Sequence, residues 1–126
     1  MILLDTSAAV FMMRGETPPE HCIRDSLGIS TIVELELRIG VFHKGGPKEL
    51  ARVNRLLQLV EIYPFDSAAA LKSGELIAKL WSLGTPIGDY DSQIAGHAIA
   101  LSLPLLTGNA KHFERVEGLK VVSWNP

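Results

Sequence analysis

Short apolar segments alternate with longer helix-like segments along the whole chain, and this alternation restricts the fold more than any other feature of the sequence. The segments 1–4 and 103–107 are too short for core helices and are almost uniformly apolar, as buried parallel strands are. Three further strands are predicted at 27–31, 61–65 and 119–124, and helices at 8–14, 18–26, 32–43, 48–60, 67–83 and 89–101. The pattern predicts an α/β fold with three α/β/α layers and a mainly parallel central sheet of about five short strands.

The composition limits the class of protein further. A chain of 126 residues, 47% hydrophobic and 21% charged, is large enough for one hydrophobic core, and without linkers or repeats it is expected to form a single domain over 1–126. The net charge of −2 gives no overall attraction to nucleic acid, so such binding needs a local basic patch. The sequence has a single cysteine, Cys22, and no recognisable targeting segment. No apolar run approaches the ~20 residues of a membrane span. These observations predict a cytoplasmic protein without membrane association.

Polar residues follow the predicted strands at the points where those strands end. Asp5 ends the first strand, Ser30 and Thr31 end the second, and Thr107 and Asn109 follow the fourth. In open parallel sheets, functional sites form beyond the carboxyl ends of the strands, so these residues are expected along one edge. A buried carboxylate without partners is costly, which raises the question of what stabilises Asp5. Asp5 also has a simpler interpretation as the N-cap of the next helix, although Thr6 and Ser7 are equally suitable caps.

Two helices that begin at this edge each carry a pair of acids. Residues two positions apart on a helix point about 200° apart, so only one acid of the pair Glu34 and Glu36 can face the site. Glu34 has Arg38 four residues on, whereas Glu36 lies at the edge of the apolar face, which favours Glu36. In the other helix Asp89 is the better N-cap and Asp91 the better candidate to point into the site. Carboxylates gathered without His or Cys ligands suit Mg²⁺ or Mn²⁺ better than zinc.

The sequence resembles PIN-domain ribonucleases, and in particular the VapC toxins of VapBC toxin–antitoxin pairs. Four stretches resemble the family motifs in the family's order: "MILLDTSAAV", "ISTIVELELRIGV", "PIGDYDSQIAGHAIA" and "PLLTGNAKHFERVEGLKVVSW". These motifs align Asp5, Glu36 and Asp91 with the family's acidic residues, in agreement with the helical phase of Glu36. Asn109 falls on the fourth acidic position and carries no charge there.

The resemblance implies metal-dependent hydrolysis of RNA phosphodiester bonds, with products carrying 5′-phosphate and 3′-hydroxyl ends. Asp5, Glu36 and Asp91 would hold one or two Mg²⁺ (or Mn²⁺) ions, and Asn109 and Thr6 or Thr107 would orient water. The implied partners are an RNA substrate and a cognate VapB-like antitoxin that covers the acidic groove. Separately, the apolar residues of the helix 67–83, among them Leu71 and Trp81, favour a homodimer interface, although the sequence does not distinguish packing within one subunit from packing between two. The sequence names neither the RNA nor the oligomeric state.

Other functions are consistent with acids at such an edge. A receiver-type signalling module also binds Mg²⁺ there, but it needs a phosphoacceptor at the end of the third strand, where only Asp66 is available. A haloacid-dehalogenase-type phosphatase needs a second Asp at the position of Ser7. A catalytically degenerate PIN-like protein that only binds partners is the remaining alternative.

Two histidines near the motifs receive structural interpretations. His97 lies among apolar residues of its helix and is expected to be a hydrogen-bonded core residue. His112 follows the Asn109 turn and is expected, with Phe113, to close the end of the core rather than to touch substrate; a position of His112 near the mouth of the site is the lesser alternative.

Overall fold

The computed structural model of the chain describes residues 1–22 and 25–125. Within these residues, five strands form one sheet in which all neighbouring strands run parallel. The strands, labelled in chain order, are β1 (Ile2–Leu4), β2 (Leu27–Ser30), β3 (Glu61–Tyr63), β4 (Leu105–Thr107) and β5 (Val121–Ser123). The predicted α/β class and parallel sheet are confirmed.

Six α-helices connect these strands within the described residues. They are α1 (Thr6–Met13), α2 (Thr31–Gly40), α3 (Gly46–Leu59), α4 (Ser67–Ser82), α5 (Asp89–Leu101) and α6 (Ala110–Phe113). A short 3-10 helix spans Glu20–Cys22, and a π-helical turn, Val41–Gly45, joins α2 to α3. No helix within the described residues is long and apolar enough to cross a membrane.

The strand order β3-β2-β1-β4-β5 places the first strand in the middle of the sheet. The chain runs outward from β1 through β2 to β3, and then returns to the other side of β1 for β4 and β5. Because parallel crossovers are right-handed, these two halves place their helices on opposite faces of the sheet. The reversal between β1 and β4 is a topological switch point, the place where open α/β sheets form a crevice.

The core lies on both sides of the two central strands. Leu3, Leu4, Leu105 and Leu106 are fully buried, and each such side chain contributes about 1.5–3 kcal/mol relative to an exposed position. The edge strand β3 is largely exposed, which explains why its residues are less uniformly apolar. On the face that carries α4 and α5, Gly96 lies so close to Ser73 that an added Cβ would be 2.1 Å from Ser73 Oγ.

Several predicted boundaries differ from the structure. Helix α1 begins at Thr6 rather than at residue 8, because Asp5 is its N-cap. The predicted helix 32–43 ends at Gly40 and gives way to the π-helical turn, and the helix predicted over 18–26 is reduced to Glu20–Cys22 in the described residues. Ile23 and Arg24, which also belong to that prediction, lie outside the described residues. Helix α6 was not predicted.

Candidate active site

Asp5 sits at the end of β1 and is only 3% exposed. Its Oδ1 accepts hydrogen bonds from the backbone N–H of Ala8 at 2.8 Å and from the hydroxyl of Ser7 at 2.7 Å. Its Oδ2 accepts the hydroxyl of Thr107 at 2.5 Å, across the switch point between β1 and β4. Asp5 is therefore both the N-cap of α1 and the polar link between the two central strands, and these bonds stabilise its burial.

The turn after β4 is tied to the same hydrogen-bond network. The backbone N–H of Gly108 donates to Ser7 Oγ at 2.9 Å, and that of Asn109 donates to Thr107 Oγ1 at 2.9 Å. Asn109 is the residue that precedes α6, and it is exposed. These bonds place Asn109 at the same edge of the sheet as Asp5, as predicted from the ends of the strands.

Glu36 reaches the same edge from α2. Its Oε1 accepts a 2.7 Å hydrogen bond from the hydroxyl of Thr6, the first residue of α1. Glu34, on the opposite phase of the helix, instead pairs with Arg38 at 2.9 Å. The structure thus brings Glu36, the acid that the helical phase favoured, close to Asp5.

Asp91 lies in the first turn of α5, and its Oδ2 is 3.0 Å from Nε2 of His112 on α6. The same His112 nitrogen is 2.8 Å from the backbone oxygen of Ile87. The structure thus places His112 near the mouth of the site, which was the lesser alternative for this residue. Asp89 is not the N-cap of α5, since that position is taken by Gly88 with φ 97°, and Asp89 is exposed.

The three acids interact electrostatically without forming a closed cage. Burial raises the pKa of Asp5, hydrogen bonds from Thr107, Ala8 and Ser7 oppose that rise, and the negative charge of Asp91 adds to it. Burial also raises the pKa of Glu36, with Thr6 opposing and the charges of Asp91 and Asp5 adding to the effect. The described residues contain no group of three or more His, Cys, Asp or Glu side chains close enough together to hold a single metal ion as they stand.

His97 has the structural role that its sequence context predicted. It is 1% exposed, its Nδ1 lies 2.8 Å from Ser30 Oγ, and Phe65 packs edge-on against its ring. Ser30 in turn accepts the backbone N–H of Ile32 and caps α2, the helix that carries Glu36. Burial lowers the pKa of His97, so the neutral ring is favoured.

Comparisons with known proteins agree with this geometry. The PIN domain family matches residues 2–119 of the chain. The tRNA(fMet)-specific endonuclease VapC of Salmonella typhimurium is 35% identical over 97% of this chain and 96% of its own length. Ribonuclease VapC2 of Rickettsia felis is 36% identical over 98% of this chain and 97% of its own length. The chain is a VapC-family PIN-domain ribonuclease.

A solved structure agrees with the family assignment. The fold matches a chain in the crystal structure of DNA-bound VapBC from Salmonella typhimurium with a TM-score of 0.87, 32% identity and coverage of 98% of this chain and 99% of that one. VapC proteins are the toxins of type II VapBC toxin–antitoxin pairs, which excludes the receiver and phosphatase alternatives. The sequence motifs therefore identified the family correctly.

Proposed function

We propose that this VapC-family protein is an Mg²⁺- or Mn²⁺-dependent endoribonuclease whose site consists of Asp5, Glu36, Asp91 and Asn109. The observation that carries the proposal is the convergence of three carboxylates, from β1, α2 and α5, at the switch point of a parallel sheet. Each of these acids comes from a different part of the chain, and each has neighbours that orient it.

The donor set fits a small, hard cation. Its protein ligands would all be oxygens. Burial and the negative charge of Asp91 raise the pKa of both Asp5 and Glu36, so a nearby positive charge would favour the ionised forms of these two acids. Mg²⁺ usually keeps several waters and uses one or two carboxylates plus substrate phosphates, so it does not need a closed cage of protein ligands. The open arrangement of the three acids is consistent with that mode of binding.

Each side chain then has a defined task in the hydrolysis of an RNA phosphodiester bond. Asp5, Glu36 and Asp91 would hold the cation, which when bound supplies Lewis-acid stabilisation of phosphate charge and lowers the pKa of water. Thr6 holds Glu36 in place, and Thr107 and Ser7 do the same for Asp5. The exposed Asn109 is positioned at the rim, where its amide would orient a water or a phosphate oxygen.

A transfer RNA is the substrate class that we propose to test first. The relative from Salmonella typhimurium is named as a tRNA(fMet)-specific endonuclease and aligns with nearly the whole chain. We also propose that a VapB-like antitoxin covers the acidic groove, since the matching structure from the same organism is a VapBC complex.

A homodimer is proposed through the outward face of α4. Leu71 and Trp81 on this helix are 61% and 69% exposed, and exposed large apolar side chains of this kind often mark an interaction surface. Replacing Trp81 by Glu should shift the purified protein toward the monomer in sedimentation experiments. An unchanged sedimentation coefficient would exclude this face as the dimer interface.

The decisive experiment is cleavage of end-labelled tRNA by the purified protein in Mg²⁺ or Mn²⁺. Asp91→Asn is compared with Asp89→Asn, a change of the same chemistry on an exposed neighbour in the same helical turn. Cleavage to 5′-phosphate and 3′-hydroxyl ends that is lost with EDTA and with Asp91→Asn, but kept with Asp89→Asn, would support the proposal. Metal binding without cleavage of any RNA would favour the degenerate alternative. A protein that neither binds the metal nor cleaves RNA would contradict the proposed metal site.

A further inference from the structure

One side chain connects two of the elements that form the site, and the family motifs assign it no role. His112 lies on α6, and its Nε2 is 2.8 Å from the backbone oxygen of Ile87 and 3.0 Å from Oδ2 of Asp91. The imidazole is about a quarter exposed, with 24% of its side chain accessible, so it is partly shielded from solvent.

The chemistry of these two partners fixes the proton on His112. A backbone carbonyl oxygen only accepts hydrogen bonds, so Nε2 must carry the hydrogen that reaches Ile87. The same N–H points toward a carboxylate oxygen, which also accepts. Nε2–H is therefore a donor shared between two acceptors, and His112 cannot take a proton from Asp91 through this nitrogen.

The backbone of His112 reaches the other side of the site. Its N–H donates to the backbone oxygen of Asn109 at 3.1 Å, within the turn that begins α6. Ile87 immediately precedes Gly88, the N-cap of the helix that carries Asp91. His112 thus connects the turn of Asn109 to the start of α5 and at the same time contacts the Asp91 carboxylate.

We infer that His112 is a positioning residue for the metal-binding carboxylate of Asp91, acting through its Nε2–H. This inference rests on the proposed function. A carboxylate on the exposed first turn of a helix has free rotation about its side-chain bonds, and a donor on Oδ2 restricts that rotation and leaves Oδ1 for the cation. Residues that orient metal ligands in this way typically alter metal affinity by about 10–100-fold when replaced.

The chain offers a matched pair of variants for the test. In His112→Gln the side-chain amide nitrogen falls near the position of Nε2 and has two hydrogens, one for each acceptor. In His112→Asn a similar amide ends near the position of Nδ1 and does not reach either acceptor. The two variants therefore differ in the position of one N–H and little in polarity.

Mn²⁺ binding to the full chain, without RNA, is measured by electron paramagnetic resonance at temperatures below the unfolding transition of each variant in EDTA. We expect His112→Asn to bind Mn²⁺ about tenfold more weakly than the wild type and His112→Gln to bind nearly as well. Raising the Mn²⁺ concentration should restore most of the RNA cleavage that His112→Asn loses. A purely structural role would lower thermal stability without this rescue by Gln or by metal.

Two further measurements make the outcome unambiguous. The ¹⁵N shifts of the wild-type His112 ring at pH 8 should show the Nε2–H tautomer, and the Nδ1–H tautomer would overturn the inference. Equal Mn²⁺ affinity of wild type and His112→Asn would overturn it as well. If Asp91→Asn also bound Mn²⁺ as tightly as the wild type, the metal site itself would be wrong, whereas loss of binding in Asp91→Asn alone would refute only the role of His112.

Discussion

Thr6 and Glu36 are thirty positions apart in the chain, yet the hydroxyl of Thr6 donates a 2.7 Å hydrogen bond to Oε1 of Glu36. Thr6 directly follows Asp5, so the bond connects the carboxyl end of the central strand to the acid on α2. The position of Glu36 in the site therefore depends on a residue that the metal would not need to contact.

Replacing Thr6 by Val should lower RNA cleavage by about tenfold, because Val keeps the shape of the side chain but cannot donate to Glu36. Thr6→Ser keeps the hydroxyl and should retain most of the activity. The measurement is the rate of tRNA cleavage at limiting Mg²⁺. Equal rates for the Val and Ser variants would show that this hydrogen bond does not position Glu36.

Glu36→Gln should reduce the rate of RNA cleavage by more than about 100-fold, because an amide is a poor substitute for a charged metal ligand. This loss would exceed the usual effect of replacing a residue that only orients a ligand. Glu34→Gln is the matched control. Glu34 pairs with Arg38 at the surface, and loss of such a pair costs less than about 1 kcal/mol and should leave cleavage unchanged. The assignment fails if the two variants have similar cleavage rates.

The packing of α4 against α5 allows a prediction about stability alone. In Gly96→Ala the new Cβ would lie 2.6 Å from the Cα of Ser73, and since backbone cannot easily move aside, the free energy of unfolding should fall by about 1–3 kcal/mol. Gly74→Ala places a methyl group where nothing lies within 4 Å. This change should raise the free energy of unfolding by about 0.5–1 kcal/mol, because Ala favours the helix more than Gly does. Urea denaturation of both variants provides the comparison, and a stable Gly96→Ala protein would mean that the helices are further apart.

The buried ring of His97 predicts how stability depends on pH. Burial holds its native pKa below 6.5, so as the pH falls below 6.5 the unfolded chain takes up a proton that the folded chain resists. The free energy of unfolding should therefore decrease as the pH falls from 6.5 toward the lower native pKa. His97→Asn keeps a polar atom near Ser30 but does not titrate, so its thermal unfolding temperature should vary less over this range. Parallel curves for both proteins would exclude His97 as the source.

The sequence predicted those parts of the fold and site that depend on local patterns. The fully apolar segments around Leu3 and Leu105 identified buried parallel strands, and the helical phase separated Glu36 from Glu34. Asp91 was preferred to Asp89 by the family motif and by the expectation that Asp89 is the N-cap, and that second reason was wrong because Gly88 is the N-cap. The strand ends brought Asp5 and Asn109 to one edge because parallel strands share a direction.

What the sequence did not predict depends on three-dimensional contacts. The role of Asp5 as N-cap was underestimated because Thr6 and Ser7 are equally good caps by residue type. The contact of His112 with Asp91 joins residues 21 positions apart on different helices, so no local period could indicate it. Gly88 caps α5 through a positive φ, which composition alone does not distinguish from an ordinary turn glycine.

The place of β1 at the centre of the sheet has a consequence for how the toxin is made. Asp5 emerges from the ribosome well before its hydrogen-bond partner Thr107, which lies 102 positions later in the chain. The strand that carries Thr107, β4, pairs with β1 on the side opposite β2. Contacts of such long sequence separation form late because a long loop must close first. A nascent chain therefore has its acids long before it has a finished site, and synthesis that stops before Leu105 yields a fragment in which β1 lacks one of its two neighbouring strands and Asp5 lacks the hydroxyl that holds it.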